Sequence, residues 1–344
     1  MNIIVLTGGT SAERNVALAS GKAIAGALKS SGHNVKVIDP IFGAKQPDEE
    51  QIFEGRLVVG QEFPTAEELA KYSAKKVIEC IDSELFDNID IVFLGLHGKF
   101  GEDGKIQSLL QMRGVKYTGS GVTSSAMAMD KDISKILFNH FNVSTPKWFM
   151  AEKSGYNLKE IDRKIENSFG YPAVIKPNDE GSTVGLSIVQ PDVEDVQLNG
   201  ALDSAFSYSG KIMIEEFIEG RELTVAILGN DALPVVEIKP KDGFYDYEHK
   251  YTKGMTEYFC PADLPANLAD ELREKSLIAH KALGCEVYSR VDFRLNPAGG
   301  YFCLEVNTLP GMTALSLVPK SASAIGMSFE GLLNKIIELS LAKA

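Results

Sequence analysis

The chain has 344 residues, 44% of them hydrophobic and 24% charged, with a formal net charge of −12. That length gives two or three domains and a well-buried core, in the proportions of an ordinary soluble protein. The acidic balance excludes a broad nucleic-acid or anionic-membrane surface, so lysines and arginines that serve an anion must be gathered locally.

The N-terminal MNIIVLTGG has no basic n-region and runs straight into a strand pattern, which excludes a signal peptide. IIVL (3–6) reads as a buried strand, GGTSAER follows, and an Ala-rich helix extends to about Ser31. VKVID (35–39) is the next strand, so the order is βαβ with parallel pairing. The glycine loop lacks GxGxxG and carries no dinucleotide fingerprint. Residues 43–88 are acidic, with a strand at RLVVG and a helix at AEELAKYSAKKVIECI, and read as an elaboration of this first domain. IDIVFLGL (89–96) is a central strand, with HGKFGEDG directly after it.

After Gly121 the pattern changes. A helix over 131–141, KWFMAEK, a helix over 157–169, and then YPAVIKP and TVGLSIV follow. The last two read as neighbouring antiparallel strands around a Gly-rich turn. A helix over 192–206 leads to KIMIEEFI, giving a small α+β unit. The last third holds strands ELTVAIL and PVVEIKP, an irregular run YDYEHKYTKGMTEYFCPADLP, a helix over 268–283, a hairpin, and a final helix over 328–341. Leu332, Leu333, Ile336 and Ile337 give that helix a core-facing stripe. No apolar stretch reaches membrane-spanning length. Cys80, Cys260, Cys285 and Cys303 show neither CxxC nor zinc-ligand spacing, and read as buried reduced thiols of a cytoplasmic protein.

The hairpin carries the first chemical signal. RVDFRL and FCLEVNT flank NPAGG, a turn sequence. Alternation puts Val291, Phe293 and Leu295 on one face, and Phe302, Leu304 and Val306 likewise. Pairing Leu295 with Phe302 sets these against each other and places Asp292 opposite Glu305 and Arg290 opposite Asn307. Facing carboxylates repel unless a cation lies between them. Oxygen ligands without His or Cys suit Mg2+ or Mn2+, and Mg2+ takes its remaining ligands from water and phosphate. The hairpin therefore predicts a nucleoside triphosphate. Read alone, such a face is more commonly solvated surface, with Asp292 paired to Arg290 or Arg294.

A triphosphate needs cations. Lys131 begins a helix, and Lys176 ends the strand AVIKP just before NDEGSTVG, a turn whose N–H groups suit phosphate. It is not a Walker A loop. Each lysine alone is more often a surface charge. For a nucleobase, IMIEEFIEGRE offers Glu215 at the end of an apolar strand and Glu222 beyond a turn.

Taken in order, GGTSAERNV, HGKFGEDGKIQS (97–108), KPNDEGSTVG (176–185), YDYEHKYTKGMTEYFCP (245–261), and RVDFRL with EVNTLPGMTALSLVP resemble the D-alanine–D-alanine ligases of the ATP-grasp superfamily. The resemblance spans almost the whole chain and weakens at about 43–88. It implies an α/β and α+β architecture: an N-terminal parallel-sheet α/β domain (pre-ATP-grasp, Rossmann-like; 1–121) holding amino-acid groups, a central ATP-grasp subdomain (122–213), and a C-terminal one (214–344) with a metal site and lid loop. It further implies a homodimer that joins two D-alanines using ATP and two Mg2+ or Mn2+ ions, for peptidoglycan precursors.

Carried over by position, Glu13 resembles the anchor for the first D-alanine's ammonium, assisted by His97, with Ser182 and Tyr251 as its hydrogen-bond partners. Lys250 lies in the lid and meets the transferred phosphate. Lys131 and Lys176 resemble the phosphate lysines, Glu215 and the backbone near Ile218 the adenine contacts, and Glu222 the ribose contact. Asp292, Glu305 and Asn307 resemble the metal ligands. Arg290 and the Gly311 N–H resemble the oxyanion stabilisers. Ser316, with the Leu317 backbone, resembles the clamp on the second substrate's carboxylate. GEDG (101–104) reads as a turn and helix start that orients His97. Bland readings stand beside three of these: a glycine-loop cap for His97, a first-turn acid for Glu13 and an N-cap for Ser316. The alternatives are a D-alanine–D-lactate or D-alanine–D-serine ligase, another ATP-grasp carboxylate–amine ligase, or a non-catalytic nucleotide sensor. The intact EHKYTKG favours D-alanine.

Overall fold

The structure, a computed structural model, describes residues 1–54, 69, 71–191, 195–241 and 255–343. The expected strand RLVVG, the first part of the helix expected after it, and the lid residues Lys250 and Tyr251 lie outside these.

The N-terminal sheet is parallel, in the order β2 (Asn34–Ile38), β1 (Asn2–Leu6), β3 (Ile91–Leu94). Ile91–Leu94 is buried throughout, as a strand covered on both faces must be, which is why it is a continuous apolar run rather than an alternating one. Helix Arg14–Ser30 packs on this sheet, and so does the final helix, Phe329–Leu341. The stripe Leu332, Leu333, Ile336 and Ile337 joins the core made by Ile3–Leu6, Leu18, Ile24 and Leu28. The last segment of the chain thus completes the first domain. His33 Nε2 lies 2.8 Å from Asn334 Oδ1 and fixes the join.

The second sheet is antiparallel, in the order β4 (Trp148–Glu152), β7 (Lys211–Glu216), β5 (Ala173–Pro177), β6 (Ser187–Val189). Helices Leu158–Ser168 and Asp195–Tyr208 cover it, the first capped by the Asn157 side chain accepting from Lys159 N and Glu160 N. The boundary expected at 213/214 falls inside β7, so this sheet extends to Glu216.

The third sheet runs β11 (Thr256–Phe259), β10 (Val236–Pro240), β8 (Arg221–Leu228), β12 (Tyr288–Leu295), β13 (Tyr301–Asn307), with short β9 (Asp231–Ala232) on β8. The run expected to be irregular contains β11, which pairs antiparallel with β10 over Thr256–Phe259. Gly220 joins the second sheet to the third at φ +131, and any Cβ there would overlap the Leu295 carbonyl. Only glycine lets this connection press against the end of β12.

The hairpin departs from its expected register at the turn end. Leu295 pairs with Tyr301 and Phe293 with Cys303; a bulge then skips Leu304, and Asp292 meets Glu305. Cys303 and Val306 enter the core, while Phe302 and Leu304 do not. Leu304 instead lines the cleft beside Glu305. Simple alternation misassigns these two apolar residues because the bulge puts adjacent residues toward one side. Cys80, Cys285 and Cys303 are buried, Cys260 is half-buried, and all four are free thiols.

Behind β12, His280 is buried with Nδ1 2.7 Å from Ser289 Oγ. Burial, aided by Lys281, pushes its pKa down from 6.5 to about 4, against a smaller opposing backbone contact with Cys285. A base whose folded pKa is depressed adds stability above its unfolded pKa and loses it as pH falls through the folded one. Between pH 6.5 and 4 this one group is expected to contribute roughly 3 kcal/mol of pH-dependent stability. Denaturant melts across that interval test it: His280→Gln should flatten the slope, and an unchanged slope would refute the assignment.

Candidate active site

Two adjoining cavities meet at the β12–β13 hairpin. The first is lined by Lys131, Lys176, Glu215, Phe217, Ile218, Leu186 and Leu304 among others. The second is lined by Glu13, His97, Arg290, Asn307, Gly311, Ser316 and Leu317 among others. Gly181, Ser182, Glu222, Asp292 and Glu305 line both. The first cavity pairs an apolar slot at Phe217, Ile218, Leu186 and Leu304 with charged side chains, which suits a nucleobase and its phosphates; the acidic second cavity suits an amine.

Glu13 occupies the N-cap position of helix Arg14–Ser30, yet its side chain makes no capping bond. Its Oε2 accepts Ser182 Oγ–H at 2.5 Å. The loop before it is pinned by the buried Arg14–Asp39 ion pair, with Arg14 donating to the Gly9 carbonyl at 2.8 Å and Gly9 N donating to Asp39 at 3.2 Å. Ser182 and Thr183 have φ of +47 and +65, a conformation L-residues rarely adopt. A Cβ at Gly181 would overlap Glu13 Oε1, so the Gly-rich turn approaches Glu13 as backbone. Lys99 holds that turn from the N-terminal domain, 2.7 Å from Glu180 and 3.2 Å from Asp179.

His97 is buried, with Nδ1 2.8 Å from the Leu309 carbonyl and Nε2 2.8 Å from Ser20 Oγ. The carbonyl can only accept, so Nδ1 carries the proton and Nε2 accepts from Ser20. Burial lowers its pKa to about 4, with Arg290 adding to the shift, and the ring is neutral at pH 7. Glu102 accepts from Gly98 N at 2.7 Å and Leu309 N at 3.0 Å. Burial and the neighbouring Glu13 raise its pKa to about 8. GEDG thus does more than start a helix: Glu102 ties the histidine loop to the segment after Asn307.

On the hairpin, Arg290 clasps Asp292 at two points, 2.8 and 2.7 Å. Thr224 Oγ donates to Asp292 at 2.6 Å and Asn307 Nδ2 at 3.0 Å. Asp292 is therefore neutralised by Arg290, and Glu305 has Lys131 Nζ at 3.7 Å. These two cations relieve the carboxylate repulsion expected across the hairpin. Lys131 is the first residue of helix Lys131–His140, against the positive end of the macrodipole. The Glu180 carbonyl, 2.5 Å away, and Glu305 hold its ammonium there.

Glu215 is gripped from both sides, by Lys135 at 2.5 Å and Lys176 at 2.6 Å, with all three buried. Burial alone would raise the Glu215 pKa, but the two ammonium groups outweigh it and hold it at about 2. Lys135 also reaches Thr145 Oγ1 at 2.8 Å and lies over Trp148. Arg294 donates to the Ile218 carbonyl at 3.1 Å and to Glu222 at 3.3 Å. Gly311 and Ser316 lie close together, and Ser316 Oγ bonds Thr313 N at 3.0 Å rather than capping helix Leu317–Ala324.

Every described candidate lines one or both of these cavities: Glu13, His97, Lys131, Lys176, Ser182, Glu215, Ile218, Glu222, Arg290, Asp292, Glu305, Asn307, Gly311, Ser316 and Leu317. Sequence reading gave no role to Lys135 or Thr224, named Arg294 only as a partner for Asp292, and took Glu102 only as part of the GEDG turn. Lys135 had a findable signal, being one helical turn from Lys131.

A family profile described as "D-ala D-ala ligase N-terminus" matches residues 2–120, and one described as "D-ala D-ala ligase C-terminus" matches residues 137–338. A protein of Halalkalibacterium halodurans named D-alanine–D-alanine ligase is 41% identical over 349 aligned residues, covering 100% of both chains. The chain resembles the solved D-alanine–D-alanine ligase of Bacillus anthracis complexed with ATP, with TM-score 0.74, 32% identity, and coverage of 99% of this chain and 97% of that one. It also resembles the VanG D-Ala:D-Ser ligase of Enterococcus faecalis, with TM-score 0.78, 30% identity, and coverage of 98% and 99%. With both profiles matched and the likeness running end to end, the chain belongs to the D-alanine–D-alanine ligase family and has its ATP-grasp fold.

Proposed function

We propose that the chain joins two D-alanines into D-alanyl-D-alanine at the expense of ATP, for peptidoglycan precursors, in the cytoplasm and as a homodimer. The observation that supports this most is the meeting of the two cavities at Asp292 and Glu305. A carboxylate is a poor acyl donor because its leaving group would be oxide. Transfer of the γ-phosphoryl group gives an acyl phosphate, from which phosphate leaves when a second, neutral amine attacks. That chemistry needs a phosphate donor and two amino acids to converge on one wall.

In this reading, Lys131 and Lys176 neutralise phosphate, joined by Lys250 from the lid. Glu215, held ionised and immobile by its lysines, accepts from the adenine amine beside the Ile218 backbone, and Glu222 takes the ribose hydroxyls. Glu13, oriented by Ser182 and Tyr251, receives the first ammonium, and neutral His97 adds no positive charge to oppose it. Arg290 and the Gly311 N–H face the oxyanion of the tetrahedral intermediate. Ser316 and the Leu317 N–H hold the second carboxylate. Asp292, Glu305 and Asn307 supply two carboxylates and an amide, hard donors that fit two Mg2+ or Mn2+ ions. Among the described residues no cluster of three or more His, Cys, Asp or Glu is arranged for a metal, and this set needs none because Asn307 supplies the third donor. Bound, such ions draw phosphate oxygens together and offset their charge.

The test is phosphate release and dipeptide formation with ATP, Mg2+ and D-alanine, against L-alanine, D-alanine plus D-serine or D-lactate, and no amino acid. D-alanine alone is expected to support full turnover. Preferential formation of a mixed product would select the D-serine or D-lactate reading, and nucleotide binding without turnover would select a sensor.

A further inference from the structure

We propose that Lys320 determines specificity in the second amino-acid subsite, its ammonium drawing in the free carboxylate of the attacking amino acid. This deepens the ligase reading and rests on it, but concerns a residue to which that reading gives no role.

The position of Lys320 follows from the helix. Its N–H donates to the Ser316 carbonyl at 3.0 Å, so the two residues stand one turn apart on one face. Both line the second cavity, as does Tyr258 on β11. The Lys320 ammonium sits over the Tyr258 ring, 5.1 Å from its centroid, and among the described residues it meets no carboxylate. Ring and helix together hold the charge at the cavity wall. Burial of the half-buried side chain lowers its pKa, which marks an ammonium already short of water and ready for an anionic partner.

Charge gives the reason. Glu13, Glu222, Asp292 and Glu305 line this cavity, against Arg290 and Lys320 as the described lining cations. Arg290 is clasped to Asp292. An incoming amino acid must bring its amine to the acyl phosphate and its carboxylate away from that acidic wall. At the Ser316 end the Thr313 and Ser316 hydroxyls meet the N-terminus of helix Leu317–Ala324, and Lys320, one turn on, adds a full positive charge to the same wall. Because the carboxylate keeps its charge through the reaction, this contact favours ground and transition states alike and should act on KM rather than kcat.

The test compares two acceptors, D-alanine and D-alaninamide. The amide has an amine to attack but no carboxylate to phosphorylate, so it serves as acceptor only. With D-alanine present at a level that fills the first subsite alone, the two products are separated by mass. Lys320→Met is expected to raise the acceptor KM for D-alanine about fivefold to tenfold and to shrink the D-alanine over D-alaninamide preference by a similar factor. The KM for ATP should hold, and Lys320→Arg should restore the preference. An unchanged preference, or equal KM increases for both acceptors, would overturn the proposal and leave Lys320 a packing residue. Should Lys320→Met not fold, salt titration of the native enzyme decides: added KCl should raise KM for D-alanine and not for the amide, and equal responses refute the claim. Failure of the ligase reading would look different, with no dipeptide from the native enzyme at all.

Discussion

Glu305→Gln is expected to lower turnover on the order of a thousandfold while the fold survives. Glu305 is half-buried, stands opposite Asp292 in register, and lines both cavities. Its nearest cation among the described residues, Lys131 at 3.7 Å, is also held by the Glu180 carbonyl, so the lysine has a second anchor when the charge is removed. The substitution conserves volume and hydrogen-bonding shape but deletes one of the two carboxylates facing across the hairpin. Steady-state kinetics with Mg2+ or Mn2+ measure the loss, and a melting temperature within about 2 °C of native shows that folding is intact. Partial recovery at raised metal concentration would support a ligand role. Native turnover in Glu305→Gln would remove Glu305 from the metal site.

Glu215→Gln is expected to cost about 3–5 kcal/mol of stability and most of the ATP affinity. The carboxylate is fully enclosed between Lys135 and Lys176, whose side chains are 0% and 10% exposed. Removing its charge leaves Lys135 with no counter-ion out of reach of water, and Lys176 without its partner at the cavity wall. Lys135 is the more affected, since burial lowers its pKa and Glu215 opposes that shift. Combining Glu215→Gln with Lys135→Met should return part of the lost stability, because the second change removes the charge left without a counter-ion. Denaturant melts and ATP titration calorimetry on the single and double variants read both effects. A single-variant cost below about 1 kcal/mol, the range of surface ion pairs, would contradict this account.

Much of this architecture is legible from pattern alone. The βαβ start, the hydrophobic runs and the final amphipathic stripe follow from burial, and burial is what periodicity records. The acidic pair on the hairpin was also readable, because Asp292 and Glu305 do face each other. The register at the turn was not, since a bulge at Leu304 breaks the period of two that the reading assumes. Strand β11 hid in a polar, aromatic run because it is an edge strand, half of it facing outward. The candidate site was legible mainly where a motif is local. Lys135, Thr224 and Arg294 act by touching residues that are 80, 68 and 72 positions away, respectively. No spacing rule joins such pairs; only the folded sheets do.

The placement of Phe329–Leu341 bears on how the molecule comes into being. The first sheet emerges from the ribosome with one of its apolar surfaces still lacking the cover that this terminal helix brings. Closure of the N-terminal layer therefore waits until residues 329–341 have been made, more than two hundred positions after the sheet they cover. Until then the apolar face that holds Leu18 and Leu28 lacks its cover, so a chain cut before Phe329 is expected to associate through it.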